Sequence, residues 1–132
     1  MKATTGYDCI IQYCPDPVRR EVANVGIVLL CPELGFLETR MAADVQRIKE
    51  LFPKLRPDDK RLKSTLLGIA RRLHVDRDHF KTVEALSRFA ETRANAMRLT
   101  APMPVRVEEP TVELNRLFKR VVDERTTESS GC

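Results

Sequence analysis

The chain has few aromatic residues and no tryptophan: Phe, Tyr and Trp together make up 5% of its 132 residues. Its core must therefore be built from aliphatic side chains. Long apolar runs are also absent, since the longest, over residues 25–31, is about a third of the roughly 20 residues that cross a membrane. No apolar segment follows the first five residues, so no secretory signal is predicted. These absences predict a cytoplasmic protein with no membrane partner.

Metal-binding and nucleophilic residues are scarce as well. The four cysteines form no C-x-x-C pair and only two histidines are present, so small buried thiols are favoured over a structural zinc site or a catalytic Cys–His pair. The segment 74–79 alternates Asp and His, but Asp78 as the N-cap of a following helix explains it without metal. No phosphate-binding loop, dinucleotide fingerprint or nucleophile elbow occurs. We predict no cofactor, no metal and no catalytic residue, although an enzyme of unknown type stays open.

What the chain does contain is typical of one globular domain. Its apolar share of 42% and charged share of 32% are those of a folded soluble protein. Its length suffices to bury a core without stabilising disulfides or metal ions. Apolar anchors stop shortly before the C-terminus. We therefore expect a single α+β domain over residues 1–124 and a flexible tail over 125–132.

Strand-type patterns come first along the chain. Residues 7–14 and 23–31 are rich in Ile, Val, Tyr and Leu, and the segment 15–17 between them predicts a rigid turn because proline fixes φ and lacks an N–H. A second turn over 32–35 leads to a third strand at 36–41, where apolar and charged residues alternate. We predict an antiparallel meander with 23–31 as its central strand and one face partly open.

Helical periodicity follows in four segments. One begins near Asp44, one follows residues 57–59, one spans about 80–94 and one opens at Pro110. Residues 97–100 are predicted to add a short strand to the sheet edge. The predicted fold class is α+β, an antiparallel three- to four-stranded meander packed against three to four helices. Six residues are predicted to be buried in the core: Val28, Leu30, Leu66, Ile69, Leu117 and Val121.

A group of polar residues lies at the entry to the central strand: Arg20, Glu21 and Asn24, with Gly26 inside the strand. Together with Tyr13 and the Pro-Asp-Pro turn before them, they resemble the bacterial family catalogued as domain of unknown function 3037. The resemblance extends along the chain to Arg40, Arg47, residues 97–100, Pro102 and Pro104. It implies the α+β order above. It also implies a protein partner, because genes of this family often lie beside genes for serine/threonine kinases of the HipA type.

The motif has two interpretations. As a site, Arg20, Glu21, Asn24 and Arg40 would bind a partner or ligand, since an arginine fork holds carboxylate or phosphate and an amide both donates and accepts. If the motif has a structural role, Glu21 would pair with Arg40 or Arg47, Asn24 would satisfy turn amides and Gly26 would relieve a bulge. The structural interpretation is favoured for Glu21 and Asn24, and Arg20 is the best candidate to face a partner.

A second candidate surface is electrostatic. Residues 54–81 hold nine basic and four acidic side chains, a net charge of +5 against +4 for the whole chain. On the predicted long helix, four of these lie opposite the apolar stripe and are candidates for binding phosphate: Lys60, Arg61, Arg71 and Arg72. An ordinary solvated helix is favoured, because acids at its start and bases at its end offset the macrodipole and no aromatic residues interleave to stack on bases.

Two functions follow from these observations. The favoured one is a small cytoplasmic binding or regulatory protein that acts through a protein partner, with a HipA-type kinase encoded nearby as a candidate. The alternative is a nucleic-acid- or nucleotide-binding accessory protein that uses the basic helix.

Overall fold

A ten-residue strand, β2 (Val22–Cys31), is buried along its whole length inside an antiparallel sheet. The computed structural model describes residues 3–14, 18, 22–42, 59–91, 93–94, 97–123 and 127–128. β1 (Thr4–Tyr13) pairs with one side of β2 and β3 (Phe36–Met41) with the other. The predicted three-stranded antiparallel meander is confirmed, although β1 rather than β2 occupies the middle of the sheet.

The sheet is five strands wide rather than three to four. β5 (Met97–Leu99) pairs with the free side of β1, β4 (Arg93–Ala94) pairs with β5, and the order across the sheet is β3-β2-β1-β5-β4. Two further strands extend its length: β6 (Met103–Val107) continues beside β1, and β7 (Thr127–Glu128) pairs with the start of β2. The strand predicted over 97–100 is confirmed. The sequence-based count fell short because very short strands leave almost no periodic signal.

Thr100 joins β5 to β6 without breaking the edge of the sheet. Its backbone N–H donates to the Ile10 carbonyl (2.9 Å), and its hydroxyl accepts from the Ile10 N–H (2.8 Å). The side chain thus replaces a ladder partner where the pairing register of the two strands changes.

Three α-helices are present in the described part of the chain: α1 (Asp59–Val75), α2 (Val83–Ala90) and α3 (Pro110–Phe118). A 3₁₀ helix (Arg77–Phe80) precedes α2, and a π-helix (Lys119–Asp123) follows α3. The long helix after residues 57–59 and the helix at Pro110 are confirmed, and the third is shorter than the predicted 80–94. The predicted turn over 15–17 and the helix near Asp44 lie outside the described residues. No described helix combines the length and apolarity needed to cross a bilayer.

Two hydrophobic clusters lie on opposite faces of the sheet. On the first face, α1 and α2 pack on apolar side chains of β1, β2 and β3. On the second face, α3 and the π-helix lie over β2 and β3. The second face, predicted to be partly open, is therefore covered at this half of the sheet, because β2 presents apolar side chains in both directions.

Four of the six predicted core residues are buried, and the buried face of the last helix differs from the predicted one. Val28, Leu30, Leu66 and Ile69 are buried. Leu117 and Val121 are only partly buried. The residues that face the sheet are spaced four apart across α3 and the π-helix, where the wider π turn keeps them aligned: Leu114, Phe118 and Val122.

A β-bulge interrupts β2 one third of the way along. Ile11 pairs with Gly26 and Gln12 pairs with Asn24, so Val25 has no partner in β1. An extra residue reverses the alternation of side chains on the bulged strand. Without it, Asn24 would share the first face with Val28. With it, Asn24 points to the second face, toward α3 and the π-helix.

Candidate functional site

Asn24 is the described member of the motif at the entry to β2, since Arg20 and Glu21 lie outside the described residues. Its side chain is buried. Its Oδ1 accepts from Gln12 Nε2 (3.0 Å), and its Nδ2 donates to the Val121 carbonyl in the π-helix (3.2 Å). This amide therefore ties the sheet to the C-terminal end of α3.

The Asn24 amide belongs to a polar chain that crosses three strands. Arg98 Nε on β5 donates to Gln12 Oε1 on β1 (3.2 Å), and Gln12 in turn donates to Asn24. Buried amides cost free energy unless their donors and acceptors are paired, and this chain pairs both amide groups. Our sequence reasoning missed Gln12. The sequence feature that could have identified Gln12 is its position as an amide residue among the apolar residues at the end of β1.

Gly26 occupies a close approach between strands. A Cβ at this position would lie 2.6 Å from Met41 Sδ, 3.1 Å from the Arg40 carbonyl oxygen and 3.2 Å from Ile11 Cδ1. The first contact is with the end of a flexible side chain, but the second is with backbone. Gly26 thus allows β3 to pack closely against β2.

Arg40, the fourth predicted binding residue, is held by α3. It pairs with Ile27 on β2, and its Nη1 donates to Asn115 Oδ1 (2.6 Å) while its guanidinium carbon lies 4.3 Å from the Phe118 ring centroid. The described partners of Arg40 are thus an amide and an aromatic face. A role in binding for Arg20, Glu21, Asn24 and Arg40 stays a prediction.

The four predicted phosphate-binding residues lie on the exposed side of α1 but do not converge. Lys60 and Arg61 are in the first turns and Arg71 and Arg72 in the last, so the pairs are about 16 Å apart along the axis. The Arg72 guanidinium lies 5.2 Å from the Phe89 ring centroid on α2. These residues can contact an extended surface, whereas one phosphate group would reach only one end.

Apolar side chains protrude from the same side of α1. Leu67 is 68% exposed and Val75 is 66% exposed. Between residues 60 and 75 the helix carries five Lys or Arg residues and no Asp or Glu. We call the exposed side of α1 the basic face, and it consists of Lys60, Arg61, Lys63, Leu67, Arg71, Arg72, His74 and Val75. In the described residues the ion pairs Asp78–Lys81 and Glu113–Arg116 lie elsewhere.

The Asp- and His-containing segment after α1 forms the 3₁₀ helix and its flanks. The Lys81 ammonium lies 3.1 Å from Asp78 Oδ1 and, by hydrogen bonding to it, lowers the pKa of the Asp78 carboxyl. The predicted N-cap role of Asp78 is wrong, because Thr82 caps α2: its Oγ1 accepts from the Ala85 N–H (3.2 Å). Asp78 lies inside the 3₁₀ helix, before the residue at which α2 is capped. Across the described ranges, no three His, Cys, Asp or Glu side chains gather as metal ligands.

The two free cysteines in the sheet have raised pKa values. Burial, with a smaller contribution from Asp8, raises the pKa of the Cys9 thiol to about 12. Burial also raises the pKa of Cys31. Both cysteines are free and buried. A neutral thiol is a poor nucleophile and metal ligand, so at these two positions the prediction of small buried thiols is confirmed.

The described residues form concave regions beside β1 and beside β3. One, of about 870 Å³, is an open depression beside the start of β1, where Thr4 Oγ1 donates to Glu33 Oε2 (2.6 Å). The other, of about 190 Å³, lies between β3 and the last turns of α1. Its lining residues are Leu37, Glu38, Thr39, Ala70, Leu73 and His74.

Comparison with known proteins gives one match. The family described as "Protein of unknown function (DUF3037)" matches residues 9–122, most of the chain, and this range runs from the second half of β1 through β6 and includes all three α-helices. No curated protein and no solved structure matches the chain.

Proposed function

We propose, on the premise that this chain belongs to the DUF3037 family of proteins of unknown function, that it is a small binding or regulatory protein whose basic face on α1 docks an acidic protein partner. The observation that carries this proposal is the combination of Leu67 and Val75, both about two-thirds exposed, with basic side chains on an α-helix that has no acid between residues 60 and 75.

The two exposed aliphatic residues favour a protein over a nucleic acid. They lie eight residues apart, about 12 Å along the helix, with Arg71 between them. Isolated exposed apolar residues are ordinary, but these two lie on one helix side together with the positive charge. A protein surface offers apolar pockets beside carboxylates, whereas a phosphate backbone offers no apolar partner to Leu67 or Val75.

The alternative is binding to nucleic acid through the same basic face. It is favoured by Lys60, Lys63 and Arg71, which have no acidic partner among the described residues. Titration with duplex and single-stranded DNA at increasing salt separates the two functions. A nucleic-acid binder loses affinity steeply as salt rises, and a protein that acts through a protein partner shows no binding to either DNA.

The direct test is capture of the partner by wild-type protein and by two matched variants after nuclease treatment. Leu67→Asn places an amide on the basic face. Val112→Asn is its control, because Val112 is 63% exposed on α3, away from the basic face. The captured protein is then purified and titrated. A HipA-type kinase from the same host is the first candidate to titrate directly.

We expect Leu67→Asn to weaken binding of the purified partner at least about tenfold and Val112→Asn to leave it unchanged. Charge reversal by Arg71→Glu should weaken it further, with an effect that shrinks as salt rises. Equal binding by wild type and Leu67→Asn would overturn the proposal.

A further inference from the structure

The outer edge of β3 presents backbone groups that pair with no described strand. β3 ends the sheet order and has β2 as its neighbour. The Ala42 N–H donates to the Val25 carbonyl of β2 (2.7 Å). In an antiparallel ladder the backbone groups of successive residues alternate in direction. Those of Leu37, Thr39 and Met41 therefore point away from β2, along the outer edge.

The usual protections of an edge strand are weak at this edge. Natural edges are blunted by proline, by bulges or by charges that point inward. β3 contains no proline. Its charged residues, Glu38 and Arg40, alternate with Leu37 and Thr39, and Arg40 turns to the second face to contact α3. The side of β3 that faces α1 thus carries Leu37, Thr39 and Met41, and Glu38 also lines the pocket there.

The pocket between β3 and α1 lies along this same edge. The pocket has a volume of about 190 Å³, and its apolar lining includes Leu37 on the strand and Ala70 and Leu73 on the helix, with Thr39 beside them. A cavity of roughly 150 Å³ with aliphatic walls admits a ligand the size of benzene. The pocket is therefore large enough for one branched aliphatic side chain from a strand placed beside β3.

The helix side of the groove is basic. On the strand side Glu38 also lines the pocket, and on the helix side His74 does. Helical spacing continues the stripe from Ala70 back to Leu67 and the charged Lys63. The charged residues Lys63 and Arg71 on this side of α1 are eight residues apart, about 12 Å along the axis. In an extended strand, residues four apart are separated by about 13 Å and point to the same face. Two carboxylates four residues apart in a strand thus match the spacing of these cationic positions.

We propose that the outer edge of β3 binds an extended segment of the acidic partner as an added antiparallel or parallel strand, with an aliphatic side chain in the pocket beside Ala70 and carboxylates toward Lys63 and Arg71. This inference rests on the proposed function and specifies its binding mode. Backbone hydrogen bonds to Leu37, Thr39 and Met41 supply the pairing, and the pocket and the helix charges select the sequence.

The probe for this mode is a capped peptide, Thr-Thr-Glu-Thr-Val-Thr-Glu-Thr-Thr, which presents Glu, Val and Glu on one face of a strand. Its control has lysine in place of both glutamates. Peptide binding to the full chain is measured by titration and by amide hydrogen exchange. We expect the amides of Leu37, Thr39 and Met41 to exchange about tenfold more slowly with the peptide bound, and the control peptide to produce no change.

Two kinds of variant test the groove on the protein side. Thr39→Pro removes one outward-facing N–H, a position at which edge strands tolerate proline, and Thr39→Val keeps that N–H as its control. Ala70→Phe fills the pocket, and Ala101→Phe at an exposed alanine outside the groove is its control. We expect Thr39→Pro and Ala70→Phe each to weaken peptide and partner binding at least about tenfold, with both controls unchanged.

The outcomes separate this inference from the proposed function. If Leu67→Asn loses the partner while Thr39→Pro and Ala70→Phe keep it, the strand-addition mode is overturned and docking on the basic face stands. If Thr39→Pro does not fold, Ala70→Phe and the exchange of the wild-type amides decide the question. Slow exchange of these three amides without peptide, in a dimer that Ala70→Phe dissociates, would assign the edge to a second copy of this chain and overturn the proposal.

Discussion

At the scale of single residues, Asn24 is the polar motif residue whose side-chain hydrogen bonds connect separate elements of the fold. Its amide accepts from β1 and donates to the π-helix, two elements about a hundred residues apart in sequence. Its neighbour Gly26 allows β3 to approach β2 closely. The partners of Asn24 are thus a neighbouring strand and a distant helix, and not the turn amides that the structural interpretation of the motif expected.

Replacing Asn24 by alanine should therefore destabilise the protein. The change leaves the Gln12 Nε2 donor and the Val121 carbonyl without their partner in a buried position, which costs about 1–3 kcal/mol and lowers the melting temperature by several degrees. Asn115→Ala, at an exposed amide on α3, is the control and should cost less than about 1 kcal/mol. A fully stable Asn24→Ala protein that no longer binds the partner would instead place Asn24 in the binding site.

Asp8 on β1 should make stability depend on pH. Burial, followed by repulsion from Glu113, raises the pKa of its carboxyl above the ordinary 3.8. Just above pH 3.8 the native state therefore binds more protons than the unfolded state, and stability falls as pH rises through the raised pKa. We expect Asp8→Asn to be more stable than wild type at neutral pH and equally stable below pH 3.8.

Thermal melts of both proteins from acid to neutral pH measure this difference. Glu84→Gln, at an exposed acid in the first turn of α2, is the control and should be less stable than wild type at neutral pH by at most about 1 kcal/mol, the opposite direction to Asp8→Asn. If Asp8→Asn were less stable than wild type at neutral pH, the Asp8 carboxylate would have a favourable partner in the folded protein.

At the scale of secondary structure, the bulge in β2 decides which side chains meet which helices. It places Val25 and Val28 on the α1 side and Asn24 on the α3 side. α3 and the π-helix then complete the second face with residues four apart in sequence. The bulge and the π-helix act together, since the Val121 carbonyl that accepts from Asn24 belongs to the widened turn.

Two glycine substitutions should have opposite effects on stability. Gly26→Ala brings a Cβ against the Arg40 carbonyl oxygen at 3.1 Å and Met41 Sδ at 2.6 Å, and we expect a loss of about 1–3 kcal/mol. Gly68→Ala adds a methyl group in open space on α1, where alanine is the better helix former by up to about 1 kcal/mol. Chemical denaturation of both variants measures the two changes in the free energy of unfolding. A neutral Gly26→Ala would show that β3 can shift away from the bulge.

At the scale of the whole molecule, β2 joins the two hydrophobic clusters, because its side chains supply the centre of each. Neither cluster is complete without the layer of helix that covers it. The protein should therefore unfold as one cooperative unit.

Removal of the last layer tests this dependence. A chain that ends at Glu109 lacks Leu114, Phe118 and Val122, which cover the second face of β2. We expect it to show no cooperative thermal transition and to bind a hydrophobic dye. A chain that ends at Asp123 keeps this layer and loses the two-residue pairing of β7 with β2. In reducing buffer it should melt within a few degrees of the full chain. A cooperative melt at the wild-type temperature by the shorter chain would show that the first cluster is sufficient. The division into a domain over 1–124 and a flexible tail stays a prediction, with Thr127–Glu128 paired to β2.

The elements that depend on local periodicity were predictable from the sequence. The alternation over 36–41 and the apolar spacing from Leu62 to Leu73 gave the strand and the buried face of α1, because the direction of a side chain along a strand or helix follows from the residues beside it. The same local signals indicated the helix at Pro110, the short strand at 97–100 and the basic side of α1.

Only the tertiary structure decided the features that join distant parts of the chain. The bulge at Val25 reverses which face Asn24 occupies, and its register is set by Ile11 and Gln12 on β1. The side chain of Arg40 is fixed by Phe118, far along the chain. The basic face and the β3 edge lie on either side of one groove because α1 packs on β3. Sequence spacing does not encode these outcomes, since each depends on contacts between residues that become neighbours only when the chain folds.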